Sequence, residues 1–199
     1  MKSSTRWLPV WFGTLCLLLA AAGCGRQEPA AGSTAGRPRI ALIMKSLANE
    51  FFLTMENGAR AHQQAHAAEY ELLANGIKDE LDVARQIDLV EQMIAQRVDA
   101  IVIAPADSKA LVAVSKKAQD AGIVVVNIDN KFDGEVLAAK QLRIPFVGPD
   151  NRKGAQKVGN FLTKRLPAGS PVAIIEGAPN AFNGQQRRLG FDDAIKEAG

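Results

Sequence analysis

Ala100-Ile101-Val102-Ile103-Ala104 and Ile123-Val124-Val125-Val126-Asn127-Ile128 are apolar runs in which polar residues do not alternate with apolar ones. A strand with one wet face alternates, whereas a strand covered on both faces does not. The residues between these runs, from about Ser108 to Ala121, read as a helix with Asp107 or Ser108 at its N-cap. Strand, helix, strand at this spacing is the unit of a parallel sheet. The same rhythm extends outward in both directions. On the amino side lie a strand at Arg39–Met44, a helix at Glu50–Ala68 and a strand at Tyr70–Ala74. A helix at Leu81–Arg97 follows, with Val83, Ile87, Val90 and Ile94 at helical spacing and Asp79 as N-cap. On the carboxyl side lie a short strand at Pro145–Val147, a helix at Asn151–Leu166, a strand at Val172–Glu176 and a helix at Gly184–Ala198. Lys131–Ile144 carries no clear element and reads as a surface insertion or the approach to a hinge. The fold class is α/β, a doubly wound parallel sheet.

The chain has 199 residues, 47% hydrophobic and 23% charged, which excludes disordered, collagenous and coiled-coil classes. Its 24 Lys and Arg against 21 Asp and Glu give +3, and two of those cations, Lys2 and Arg6, stand in a leader-like segment, so 3 − 2 leaves +1. A nearly neutral chain offers no electrostatic footprint for nucleic acid. The leader has a basic start and an apolar stretch, Leu8–Ala22, shorter than the roughly 20 residues of a membrane span. Ala21-Ala22-Gly23-Cys24 closes it and resembles the lipobox of bacterial lipoproteins, with Ala21 where Leu is usual. That resemblance implies cleavage after residue 23 and acylation of Cys24. Cys16 would leave with the leader, and no thiol would remain for a disulfide, a metal or a nucleophile. Residues 24–38, rich in Gly, Ala, Pro and Ser, read as a flexible tether.

Several chemistries are missing from the pattern. Lys45-Ser46-Leu47-Ala48-Asn49 stands where a dinucleotide site would carry its glycines, and neither a P-loop nor a G-x-S-x-G elbow occurs. His62 and His66, with Glu69 beyond, have a spacing that could hold zinc, but Gln63 stands where a zincin has its general base. The pair reads as polar residues on a solvated helix face. Asp79-Glu80 and Asp192-Asp193 read as helix-start or surface charges. No nucleophile–base pair assembles, so an enzyme is not expected, nor a cofactor or a metal.

Ligands of open α/β sheets bind beyond the carboxyl ends of the strands. Lys45, Asn49, Phe51 and Phe52 follow the first strand, Pro105 and Asp107 the third, and Asp129, Asn130 and Lys131 the fourth. Asp150 and Asn151 follow the short strand, and Asn180, Phe182, Asn183 and Arg187 follow Val172–Glu176. Asn, Asp and Arg match the paired donor and acceptor character of vicinal hydroxyls. Aromatic faces cover the C–H faces of a sugar ring. Taken singly, Phe51 or Phe52 could pack in the core and Asp129 could cap a turn. Jointly, on successive strand ends, they describe a polyol site.

Ala41–Phe52 (ALIMKSLANEFF), Ala104–Ser108 (APADS), Val126–Asp129 (VNID), Asp150-Asn151 and Gln186–Phe191 (QRRLGF) resemble, in order and spacing, the periplasmic sugar-binding proteins of the ribose/allose type. The resemblance covers about residues 39–199. It implies a two-lobed, type I periplasmic-binding-protein-like fold that closes around a monosaccharide. It also implies that Asn49, Phe51 and Phe52 contact the sugar, that Asp129 bonds hydroxyls, and that Arg187 does so from the second lobe. Lys45 is similar to the hexose branch. Asn130 departs from the Arg of the ribose branch and the Glu of the allose branch, so the sugar stays open. Asn130 and Asn183 complete the expected ligand-binding set.

The expected organisation is a signal peptide over 1–23, a tether over 24–38, a sugar-binding lobe over 39–149 and the start of a second, incomplete lobe over 150–199. The expected function is an extracytoplasmic lipoprotein, held to the membrane through Cys24, that delivers a monosaccharide to an ABC permease. The alternative is a sensory lipoprotein that presents a sugar or an autoinducer-like polyol to a chemoreceptor or sensor kinase. The related regulators begin with a helix-turn-helix, which a leader replaces here.

Overall fold

The computed structural model describes residues 36–199. The expected leader, the expected acylation site at Cys24 and residues 24–35 of the expected tether lie outside the described residues. Five parallel strands form one sheet in the order β2-β1-β3-β4-β5. They are β1 (Arg39–Ser46), β2 (Glu71–Ile77), β3 (Ala100–Ile103), β4 (Val124–Ile128) and β5 (Phe146–Val147). Helices α1 (Glu50–Ala65), α2 (Val83–Ala95), α3 (Ala110–Asp120) and α4 (Gly134–Ala139) connect them, and α5 (Asn151–Thr163) and α6 (Phe182–Ala198) follow.

Successive side chains of a strand point to opposite faces, and here both faces are covered. Ala41, Ile43, Ile101, Ile103 and Val125 pack with Leu89, Val90 and Met93 of α2 and Leu111, Val112 and Ala118 of α3. Leu42 and Met44 point the other way, into a smaller cluster with Phe52, Met55 and Ala59 of α1. This two-sided burial explains why the strands carry no alternation. The order of the strands reverses around β1, with β2 on one side and β3 on the other. Such a switch point leaves a crevice at the carboxyl ends of the strands.

Several local expectations change. Val172–Glu176 is not a strand: among the described residues no strand lies beside it, and Ile175 is 98% exposed. An apolar run without a neighbour cannot pair its backbone groups. Lys131–Ile144 contains α4, which Asp133 caps by accepting from the Val136 N–H at 2.9 Å. Phe132 is buried, and Val136, Leu137, Leu142 and Ile144 pack on the main core, so this segment belongs to the sheet's own packing. Asp82, rather than Asp79, caps α2 by accepting from the Arg85 N–H at 3.0 Å. Asp79 instead turns the chain by accepting from Leu81 N–H. At the start of α3, Asp107 Oδ1 accepts from the N–H groups of Lys109 and Ala110 at 2.7 and 2.8 Å.

Candidate functional site

At the carboxyl end of β1 the pairing with β2 shifts register between Met44 and Ser46, and Lys45 stands at that irregularity. Bulges of this kind re-aim a side chain. Gly76, opposite Met44, permits it: a Cβ there would lie 2.8 Å from the Lys45 carbonyl oxygen and 2.7 Å from Leu47 Cγ. Lys45 is 3% exposed, with Nζ 3.4 Å from Asp129 Oδ2, 3.9 Å from Glu80 Oε2 and 5.6 Å above the centre of the Phe52 ring. Burying an ammonium group is costly unless an opposite charge stands beside it.

Asp129 adopts φ +56°, the left-handed region that Asp tolerates better than most residues. The turn aims its carboxylate at Lys45. Apart from that ion pair, Asp129 Oδ2 is buried and has no hydrogen-bond donor. An acceptor held out of water without a donor is poised for an incoming hydroxyl.

Asn49 caps α1 through a bond accepted from the Phe51 N–H at 3.0 Å, which fixes its side chain at the rim. Phe51 and Phe52 meet edge to face, with centroids 5.1 Å apart at 85°. Phe52 packs into the smaller core cluster while Phe51 remains 56% exposed. On the opposite wall, Asn183 and Arg187 lie one turn apart on α6, and Arg187 Nε donates to Asn151 Oδ1 at 2.9 Å.

These residues enclose one cleft of about 450 Å³, a volume suited to a small ligand. Lys45, Asn49, Phe51, Phe52, Asp129, Asn183 and Arg187 all line it. Asn130 does not. It is fully buried beneath the floor, with Nδ2 donating to Pro105 O at 2.8 Å and Oδ1 accepting from Asn183 N–H at 3.1 Å. Of the side chains expected to contact ligand, it is the one that the cleft lining leaves out, with Oδ1 and one Nδ2 hydrogen engaged within the protein.

Glu80, Arg188, Phe191 and the extended segment Ile174–Ala178 line the cleft without having been anticipated. Glu80 was hidden because β2 runs to Ile77 rather than Ala74. Ending the strand early leaves Asp79-Glu80 looking like helix-start charge instead of a strand-end loop. Arg188 pairs with Glu176 at 3.1 Å and Asp192 at 3.6 Å. Its place within QRRLGF was the available signal. Among the described residues no group of three His, Cys, Asp or Glu side chains could hold a metal ion.

The periplasmic binding protein domain matches residues 40–199. The chain belongs to the periplasmic binding protein family. It is similar to the D-ribose/D-allose-binding protein of Pseudomonas aeruginosa, 66% identical over 166 residues that cover 83% of this chain and 52% of the relative. It is also similar to the ribose import binding protein of Bacillus subtilis, 30% identical over 89% of this chain and 56% of the relative. Among solved structures, an ABC transporter solute-binding protein from Burkholderia multivorans superposes with a TM-score of 0.81 at 64% identity, covering 83% of this chain and 58% of its own. Its unknown ligand is represented as α-D-erythrofuranose. A solute-binding protein from Actinobacillus succinogenes with bound D-allose gives 0.76 at 35% identity, covering 81% of this chain and 56% of its own. The chain spans about half the length of the curated relatives it matches.

Proposed function

We propose that the cleft captures a monosaccharide of the D-ribose/D-allose kind and that the protein is the extracytoplasmic solute-binding component of an ABC importer. The observation that carries this reading is the buried Lys45–Asp129 pair, with its unsatisfied carboxylate oxygen at the cleft floor. Asp129 accepts from one hydroxyl while Lys45 donates to a neighbouring oxygen. Phe51 and Phe52 cover the apolar face of the ring, and Arg187 donates from the facing wall. Binding of this kind is capture without covalent change. The names of the P. aeruginosa and B. subtilis relatives support the ligand class and the importer role. A lobe boundary at 149/150 is part of this reading, supported by the end of β5 at Val147 and the Asp150 cap of α5. Anchoring through Cys24 rests on Ala21-Ala22-Gly23-Cys24 and places the protein on the outer side of a membrane.

Titration calorimetry of the chain with D-allose and D-ribose tests the reading. Binding of either sugar is expected, and Asp129→Ala should weaken it by about 2–3 kcal/mol, the scale of a charge-assisted hydrogen bond in a desolvated site. No heat with either sugar, or unchanged affinity in Asp129→Ala, overturns it. The same protein, isolated from membranes, should have the mass of a chain beginning at an acylated Cys24.

A further inference from the structure

The helix that carries Asn183 and Arg187 has no cap of its own. Its N-cap position is Ala181, whose side chain cannot accept a hydrogen bond. The first N–H groups of a helix lack partners within the helix, and burying them unpaired is costly. Two side chains from the carboxyl end of the sheet take their place. Ser108 Oγ, beyond β3, accepts from Phe182 N–H at 3.0 Å. Asn130 Oδ1, beyond β4, accepts from Asn183 N–H at 3.1 Å. Both side chains are nearly or fully buried, at 4% and 0% exposure.

The rest of the network fixes their aim. Asn130 Nδ2 donates to Pro105 O at 2.8 Å, which leaves Oδ1 as the atom facing α6. Ser108 Oγ lies 3.4 Å from that same Oδ1, so the two acceptors are linked. Just before α6, Asn180 Nδ2 donates to Asp107 Oδ2 at 3.0 Å, and Asn180 O accepts from Ser108 N–H at 3.3 Å. Pro105, Asp107 and Ser108 thus share one loop that grips the chain entering α6.

We infer that Asn130 and Ser108 are positioning residues that cap α6 from the sheet side and so set where Asn183 and Arg187 stand opposite Lys45 and Asp129. Asn183 and Arg187 are four residues apart and share a helix face, so a displaced amino end moves both. Asn130 accepts from α6 and donates to Pro105 while standing outside the cleft lining. This makes residue 130 a determinant of cleft width that does not touch the ligand. Its consequence for affinity rests on the sugar-binding reading above; the cap itself does not.

Amide hydrogen exchange on the chain tests the cap without any ligand. Ser108→Ala should speed exchange at Phe182, and Asn130→Ala at Asn183, by about tenfold, while strand amides such as Ile43 and Ile103 keep their protection. Ser108→Thr, which retains the oxygen, should restore the slow rate at Phe182. If Asn130→Ala does not fold, the Ser108 pair decides alone. Unchanged exchange at Phe182 and Asn183 overturns the proposal. A calorimetric cycle with D-allose separates positioning from contact. Asn130→Ala and Arg187→Ala should be non-additive, the double variant binding about as weakly as Arg187→Ala. Additive losses would make Asn130 a direct ligand contact and overturn its role. If the unaltered chain binds no sugar, the sugar reading fails and the exchange experiment still decides the cap.

Discussion

On the sheet side the residues sealed from water include Ala41, Ile43, Ile101, Ile103, Leu111 and Val112; in the α5–α6 pair they are Ala155, Gly159, Asn183, Gly190 and Ala194. The first set removes large apolar side chains from water and gains stability in proportion to area. The second gains little that way and depends on close backbone approach. A Cβ on Gly190 would overlap the Arg152 carbonyl oxygen, and one on Gly159 would press on Ala194. Around that contact stand exposed polar links: Arg152 to Asp193 at 2.6 Å through Nε, and Asn160 Nδ2 to Glu197 at 3.1 Å. Val158 and Phe161 of α5 remain exposed. One wall of the cleft is therefore a hydrophobic edifice, and the other is a tightly fitted helix pair tied to it by polar caps.

Breaking the sheet should cost most. Ile103→Ala removes a fully buried side chain from the main core and should lower unfolding stability by about 2–5 kcal/mol in urea titration. A loss below about 1 kcal/mol would mean that the sheet does not rest on this core. Gly190→Ala should cost less, about 1–3 kcal/mol, and in a different place. Exchange at residues 151–198 should quicken while Ile43 and Ile103 stay protected. Equal quickening in both regions would show the helix pair and the sheet to be one cooperative unit.

The smallest effect comes from acid. Contact with Arg152 holds the Asp193 carboxyl below its usual range, against a lesser opposing effect of burial. Burial alone would raise Asp107, but the Ala110 N–H, the Asn180 amide, the Lys109 N–H and the Lys109 charge outweigh it and hold it low. A carboxyl with a lowered folded-state pKa contributes stability above its unfolded value, near 4, and loses it as pH falls through the folded value. Lowering the pH from 7 toward 3 should therefore loosen α5 and α6 before the strands, as read by exchange. High salt should weaken the Arg152–Asp193 link in the same direction, since both groups are open to solvent. Strands that loosen first under acid would reverse the comparison.

Much of the site was legible because strand ends are legible. Lys45, Asn49, Phe51, Phe52 and Asp129 follow apolar runs whose type and order the residue pattern shows, and all five meet in the cleft. Asn130 stands outside the cleft lining although its sequence neighbour Asp129 is part of it. The positive φ at Asp129 separates them, sending one side chain into the cleft and the next beneath it. Glu80 was missed because Asn75 and Gly76 look like the end of a strand. Pairing with Ile43 and Met44 of β1 carries β2 past them. Val172–Glu176 erred in the opposite sense: five residues of strand composition, with no strand beside them among the described residues.

By itself, the sequence determined the α/β class, the covered sheet and the cluster of polyol-matching residues, because burial on both faces and the chemistry of strand ends are written in local composition. Only the tertiary structure decided that Lys45 lies between two carboxylates, that Asn130 and Ser108 cap a distant helix, and that Gly190 seats α6 on α5. Those outcomes depend on which backbone atoms come within about 3 Å of one another, the reach of a hydrogen bond. Contacts between residues 53 and 74 apart in the chain, as in the bonds to Asn183 and Phe182, leave no periodic trace along it.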